Sequence, residues 1–187
     1  VREPDALGGF MGKAADHEYL QMKMLNNKKG PGVQCLRAQA DKKRYPHYIQ
    51  EHLKETKNFD ILEDMVVDLL YDESTVFGVK TSQNQDIFSK AVILATGTYM
   101  NSEILVGHNK TVGGPDGEKP SIGLSDSLKR MGIEIIRLKT GTPQRIAKES
   151  IDFSKGIIQL GNVEDEGFSY EDHDFIPISE QIPCWLI

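Results

Sequence analysis

The chain has 187 residues, of which 39% are hydrophobic and 27% are charged, and its formal net charge is −6. This balance is typical of a soluble globular protein and excludes a disordered chain, and no apolar run approaches the ~20 residues that a membrane-spanning helix needs. Cys35 and Cys184 lie far apart without a Cys-x-x-Cys motif, so nothing indicates a disulfide scaffold or a zinc site.

The two ends of the sequence resemble stretches from the interior of a longer chain. The first residue is Val1, and residues 182–187 are apolar, like the opening of a strand. We therefore expect the chain to be a piece of a longer protein.

The charges are unevenly distributed along the chain. Residues 28–44 and 129–148 are rich in Lys and Arg, whereas residues 164–174 are strongly acidic. Basic stretches on an acidic protein are either solvated faces or contacts for a phosphate-rich partner.

Residues 5–12 are rich in glycine but lack the G-x-G-x-x-G spacing, so they predict a loop that leads into a helix at about 13–18. Residues 19–25 alternate like a strand. The basic loop at 26–32 is either a plain surface loop or an anion contact through the backbone of its glycines.

Helical spacing of Tyr45, Tyr48, Ile49 and Leu53 predicts a helix over 38–56. His47 and His52 are five residues apart on this helix, a poor spacing for a metal, so we interpret both as structural or surface residues.

Residues 59–94 predict short strands joined by hairpins. Turn-forming residues separate four candidate strands, at 59–62, 65–71, 76–81 and 87–88.

Residues 91–95 form an apolar run that predicts a central strand buried on both faces. It ends at the small residues Thr96, Gly97 and Thr98. Ligands of open α/β sheets bind beyond the carboxyl ends of strands, so this turn is either a cofactor contact or an ordinary turn.

A second strand and turn are predicted further along. Residues 107–123 are expected to form a long loop, after which Ser121 caps a helix at about 122–131. A strand at 133–139 then leads into residues 140–146, where hydroxyls, a glycine and Arg145 are suited to bind phosphate or carboxylate. No Ser-His-Asp, Cys-His or carboxylate pair can be drawn from the spacing.

Several stretches together resemble one family, the flavoprotein subunit of the tRNA uridine 5-carboxymethylaminomethyl modification enzyme, also called glucose-inhibited division protein A. The stretch Arg-Leu-Lys-Thr-Gly-Thr-Pro at 137–143 is the most distinctive. The others are Asp-Ala-Leu-Gly-Gly at 5–9, Lys-Gly-Pro at 29–31, Arg-Ala-Gln-Ala-Asp at 37–41, Thr-Gly-Thr at 96–98, Gly-Gly at 113–114 and Pro-Ser at 120–121.

The resemblance implies an α/β fold, namely part of an FAD-binding Rossmann-type domain with a β-meander and an inserted α/β segment. Residues 1–102 would belong to the FAD-binding domain and residues 103–187 to the inserted segment. It also implies modification of the wobble uridine of tRNA in the bacterial cytoplasm, a GTPase partner subunit, a homodimer without a membrane, NADH as reductant and methylene-tetrahydrofolate as carbon donor.

The resemblance also assigns residues. Val66 and Ser121 resemble FAD-contacting positions, and Thr96, Gly97 and Thr98 resemble the turn near the cofactor. The basic residues Arg37, Lys139 and Arg145 match family positions that would contact tRNA or nicotinamide.

Some family features lie outside this sequence. The glycine-rich FAD fingerprint would precede Val1, and the reactive cysteines would lie upstream and downstream, so no catalytic residue and no metal ligand is assigned. Gln144 and Ser102 replace a Pro and a Gly of the family pattern. We expect the piece alone to bind FAD weakly or not at all.

Two other functions remain open at the level of sequence. The chain could be a non-catalytic module that binds RNA or a protein partner, as its basic stretches suggest. It could also belong to another flavoprotein reductase with two dinucleotide sites, although that class lacks the stretch at 137–143.

Overall fold

The computed structural model describes residues 1–141, 143, 146–171 and 173–186. They form two compact units, one made of residues 1–60 with 145–187 and the other of residues 61–144. The helices are α1 (Arg2–Ala6), α2 (Met11–His17), α3 (Arg44–Glu55) and α4 (Leu124–Arg130). The strands are β1 (Tyr19–Leu25), β2 (Cys35–Ala40), β3 (Val66–Tyr71), β4 (Val76–Thr81), β5 (Asp86–Phe88), β6 (Glu103–Val106), β7 (Asn109–Val112), β8 (Ile157–Gln159) and β9 (Cys184–Leu186).

The first unit is built on the antiparallel ribbon of β1 and β2. Met22 lies opposite Ala38 and Met24 opposite Leu36, so these four side chains share one face, because directly opposed residues of a ribbon point the same way. That face packs in a small core with the buried Tyr19. The other face of the ribbon carries the polar residues Gln21, Lys23, Arg37 and Gln39, together with Leu25 and Cys35.

A buried glutamine completes the core of the first unit. The Gln181 side chain accepts a hydrogen bond from Met22 N at 2.9 Å and donates to the carbonyls of Val163 and Ile176, both at 2.9 Å. Without Gln181, Met22 N and the Val163 carbonyl would lose these partners in the core, which costs about 1–3 kcal/mol each, whereas the Ile176 carbonyl also accepts from the Tyr19 hydroxyl at 3.5 Å.

Two buried carboxylates hold the N-terminal helices to the segment near residue 169. Asp16 accepts from the backbone N–H groups of Phe168 and Ser169 at 2.9 and 2.7 Å. Asp5 accepts from Tyr170 N at 2.9 Å. Residues near the two ends of the sequence therefore fold together.

The second unit is an antiparallel meander, β3–β4–β5, covered by helix α4. Leu69 of β3 packs against Leu124 and Leu128 of α4, and the three side chains form its buried core. Helix α4 begins after Gly123, which has a φ of +101°. Such a φ is readily available only to glycine.

Several predicted elements agree with these bounds. The strands at 19–25 and 76–81 are confirmed, as are a strand within 65–71, a strand that includes 87–88, the helix near 13–18 and the helix within 122–131. None of the described helices combines the length and apolarity that crossing a membrane requires.

Three predictions about local structure are wrong. Residues 38–40, predicted to begin the helix over 38–56, belong instead to strand β2, and α3 begins only at Arg44. Residues 59–62 form no strand. Residues 109–112 of the predicted long loop pair with β6 as the hairpin strand β7. Alternation in β2 and β7 is short, and neighbouring helical or glycine-rich sequence obscures it.

The strands predicted at 91–95 and 133–139 are not formed in this structure. Ile93 is 91% exposed and Leu138 is 81% exposed, so the central strand is not buried on both faces. A strand requires a neighbouring backbone with free N–H and C=O groups, and no described segment pairs with either stretch.

Candidate functional site

Three of the segments that resemble a cofactor site meet in the second unit. Ser121 donates its hydroxyl to the Val66 carbonyl at 3.4 Å and its backbone N–H to the Tyr99 carbonyl at 2.9 Å. Its own carbonyl accepts from Asn101 N at 2.9 Å. We call this junction of Val66, Thr96–Tyr99 and Ser121 the corner site.

Ser121 does not cap helix α4, contrary to the prediction. The N-cap residue is Gly123, and no side chain caps the helix. The Ser121 hydroxyl is committed to β3 instead, because residues 100 and 121 form a parallel bridge that aligns the Ser121 side chain with Val66.

The Thr96–Tyr99 turn is tight and open to solvent on one side. Tyr99 N donates to the Thr96 carbonyl at 3.3 Å, and Gly97 has a φ of +55°. The hydroxyls of Thr96 and Thr98 have no hydrogen-bond partner among the described residues. The turn therefore offers two free hydroxyls and an exposed glycine backbone, groups that suit the oxygens of a nucleotide.

The Tyr99 ring at the end of the turn packs closely against Gly114. A Cβ on Gly114 would lie 2.7 Å from the Tyr99 ring, and Gly114 N donates to the Glu118 carbonyl at 2.8 Å. Only glycine allows this close approach. Gly114 thus matters for the site, and the Gly-Gly pair at 113–114 is the signal in the sequence that indicates it.

Charged groups bind helix α4 to the meander beside the corner site. Arg130 lies 2.7 Å from Asp68, and Leu69 N donates to Asp68 and to the buried Ser127 hydroxyl. Partial burial acts to raise the pKa of Asp68, but hydrogen bonds from Ser127 and Leu69 and the Arg130 charge outweigh it, so the pKa is lowered. Asp68 is therefore held as an anion that links β3 to α4.

Two of the predicted basic residues, Arg37 and Lys139, belong to different units of the described chain. Arg37 lies on β2 in the first unit, and Lys139 is exposed in the second unit. Arg137, two residues earlier, donates to the Asn101 carbonyl at 3.2 Å. Arg145 lies outside the described residues. In the second predicted turn, Gly141 has no described atom within 4 Å of a Cβ position, so the chain is uncrowded at this residue.

The first unit contains a cleft of about 650 Å³ that sequence reasoning missed. Phe10 stacks on His52 at 3.7 Å and on Tyr48 at 5.5 Å, and Tyr48 stacks on His17 at 4.0 Å. This row of parallel rings joins α2 to α3 and forms one wall of the cleft. The aromatic residues at positions 48 and 52, four apart on one helix face, are the sequence signal for this row of rings. His52, predicted to be a structural or surface residue, packs in the row.

Comparisons with known proteins agree along the whole chain. The chain is 48% identical over 171 residues to the tRNA uridine 5-carboxymethylaminomethyl modification enzyme MnmG of Acholeplasma laidlawii, covering 91% of this chain and 28% of that protein. It is 48% identical over 186 residues to the MnmG of Caldicellulosiruptor saccharolyticus, covering 100% of this chain and 29% of that protein. The Aquifex aeolicus GidA crystal structure matches with a TM-score of 0.88 and 41% identity over 98% of this chain and 31% of that chain.

The fold is thus mixed α/β, and the match to GidA confirms the predicted class, part of a Rossmann-type domain. The family model described as "Glucose inhibited division protein A" matches residues 1–187. The chain belongs to that family, as its sequence motifs predict. It spans less than a third of the length of the curated relatives it matches.

Proposed function

We propose that the chain supplies part of an FAD-dependent enzyme that installs the carboxymethylaminomethyl group at C5 of the wobble uridine of tRNA. The observation that carries this proposal is the 48% identity to MnmG, which extends over the entire chain. The junction of Val66 and Ser121 at the corner site supports it, because the resemblance assigns both residues to the same cofactor.

The residues of the corner site fit a nucleotide cofactor. The Thr96 and Thr98 hydroxyls are unpaired within the described residues, and the exposed Gly97 allows close approach to the backbone. We propose that Val66, Ser121 and the turn at Thr96–Thr98 together contact FAD. When bound, FAD supplies the electron-transfer chemistry, and this chain contributes binding and orientation.

The remaining components of the reaction follow from the family. We propose NADH as reductant, methylene-tetrahydrofolate as carbon donor, a GTPase partner subunit, a homodimer and a place in the bacterial cytoplasm. Lys139, Arg145 and Arg37 are proposed to contact tRNA or nicotinamide. The predicted division into residues 1–102 of the FAD-binding domain and residues 103–187 of an inserted segment is kept in this proposal.

A segment exchange tests the proposed function. The chain replaces the matching 29% of the Caldicellulosiruptor saccharolyticus enzyme, and the chimera is expressed in a bacterium that lacks its own MnmG. We expect the modified wobble nucleoside to reappear in digests of cellular tRNA, measured by mass spectrometry.

Two matched variants of the chimera test whether flavin binding depends on the corner site. Thr98→Val removes a free hydroxyl at equal volume, and we expect it to lower the flavin content of the purified chimera. Thr75→Val, in the exposed turn between β3 and β4, should leave flavin content unchanged. A folded chimera that binds flavin but yields no modified nucleoside would contradict the proposal. If that chimera still bound tRNA, the non-catalytic RNA-binding module would be favoured instead.

A further inference from the structure

The β1–β2 ribbon places positive charges on the face opposite Met22, Met24, Leu36 and Ala38. Lys23 lies directly opposite Arg37, and Leu25 lies opposite Cys35 on the same face. Like charges in directly opposed positions destabilise a ribbon, and no described carboxylate pairs with either residue. Lys23 instead donates to the Gln159 side chain at 3.2 Å. No described negative charge therefore compensates this pair of cations.

The tip of the ribbon is held rigid and extends the positive charge. Lys29 N donates to the Asn26 carbonyl at 2.8 Å, and the Asn26 and Gln34 side chains donate to the Val33 and Lys29 carbonyls at 3.0 and 2.9 Å. Lys28 and Lys29 are exposed at this tip, and neither side chain has a partner in the described part of the chain.

The described structure does not require glycine at the two glycine positions of the tip. Neither Gly30 nor Gly32 has a left-handed φ, and no atom lies within 4 Å of a Cβ position on either residue. Neither backbone strain nor internal crowding therefore requires glycine. A remaining reason for glycine is the close approach of a binding partner to the backbone.

We propose that this face and tip of the β1–β2 ribbon bind the phosphodiester backbone of tRNA. The four cations Lys23, Lys28, Lys29 and Arg37 are spread along the ribbon, since the Lys23–Arg37 pair lies about 7 Å behind the base of the turn. This spread suits a polyanion better than one phosphate group. The inference rests on the proposed function, because it names the surface that holds that enzyme's RNA.

Charge removal provides the first test. The variant Lys28→Gln/Lys29→Gln/Arg37→Gln is compared with Lys57→Gln/Lys90→Gln/Lys119→Gln, which removes three exposed lysines elsewhere. Binding of unfractionated bacterial tRNA is measured by filter retention over a range of salt concentrations. We expect the salt dependence, as the slope of log affinity against log salt, to fall by about one for each cation lost in the first variant. An equal loss in both variants would overturn the inference.

Substitution of the two glycines distinguishes a loss of RNA contact from a loss of stability. We expect Gly30→Ala and Gly32→Ala to leave the urea midpoint of unfolding unchanged and to weaken tRNA binding several-fold. A lowered midpoint would show that the fold itself needs these glycines, and unchanged binding would show that RNA does not reach them. Either outcome overturns the inference.

The exposed thiol of Cys35 gives a direct footprint, since it lies on the same ribbon face as Arg37. In a Cys184→Ser background, we expect bound tRNA to slow alkylation of Cys35 several-fold. If tRNA binds and Cys35 still reacts at the free rate, the ribbon is not the RNA surface, although the proposed function stands. If the chain binds no tRNA at any salt concentration, the inference about the ribbon fails, while the segment exchange decides the proposed function separately.

Discussion

The backbone carbonyl oxygen of Val67 lies 2.6 Å from the point where a side chain on Gly123 would place its Cβ atom. This contact brings the start of α4 against β3 and so sets the position of Ser121, two residues earlier. A carbon atom at that point would overlap the oxygen, and the φ of +101° is unfavourable for any residue but glycine.

We expect Gly123→Ala to lower the free energy of unfolding by about 2–4 kcal/mol, as overpacking and backbone strain combine. The control is Gly132→Ala at the other end of α4, where φ is +81° but the Cβ position is open. That variant should cost about 1 kcal/mol. Urea denaturation measures both, and equal losses would contradict the close contact with Val67.

The buried glutamine of the first unit leads to a second prediction. Gln181→Met keeps the volume but leaves Met22 N and the Val163 and Ile176 carbonyls without their hydrogen bonds. We expect the free energy of unfolding to fall by about 3–5 kcal/mol. Gln50→Met, on exposed helix α3, should change it by less than about 0.5 kcal/mol. A similarly small effect at position 181 would mean that the three bonds contribute little.

The ion pair of Asp68 and Arg130 predicts a pH dependence. The folded-state pKa of Asp68 lies below its ordinary value of 3.8, so ionised Asp68 stabilises the fold above that pH and the effect disappears as pH falls through the folded-state pKa. We expect Asp68→Asn to cost less than about 1 kcal/mol near neutral pH, because the pair is partly exposed.

Unfolding of Asp68→Asn, Arg130→Gln and the double variant, measured from neutral to acid pH, checks this prediction. The gap between wild type and Asp68→Asn should close in acid, and the double variant should lose less than the sum of the single variants. A gap that stayed constant down to low pH would contradict the assignment of this carboxylate.

Two neighbouring residues test the description of the segment at 91–95. Val92 packs against the Leu69 cluster, whereas Ile93 is 91% exposed. We expect Val92→Lys to lower the free energy of unfolding by about 2 kcal/mol or more. Ile93→Lys should change it by less than about 0.5 kcal/mol and reduce binding of an apolar fluorescent dye. Equal destabilisation at both positions would indicate that Ile93 is buried after all.

Much of the local structure could be predicted because its signals are local. Alternation from Tyr19 to Leu25 and from Val76 to Thr81 is clear, and both strands form over the predicted residues. The helix predicted from the spacing that begins at Tyr45 reaches back to residue 38 and so overlaps the end of strand β2, which hides the strand. Its alternation of Leu36 and Ala38 with polar residues becomes evident once its partner β1 is known.

The contacts of the candidate site could not be predicted from local sequence signals. Val66 and Ser121 are 55 positions apart in the sequence, and only the resemblance to a family associates them. The contacts of Gly123 and Gly114 depend on tertiary packing, which a turn-forming residue signals only in general terms. The strands at 91–95 and 133–139 were predicted from apolar runs, but an apolar run does not reveal whether a partner strand is present.

The first unit is assembled from two separate stretches of the chain, and the second unit is inserted between them. During synthesis, the ribosome therefore releases all of residues 61–144 before the segment that supplies Gln181 and the partners of Asp5 and Asp16. The meander and α4 can fold as soon as they emerge, whereas the N-terminal helices and ribbon must wait with an incomplete core. Until residues 163–181 emerge, the N-terminal helices and the ribbon therefore expose surface that the finished unit buries.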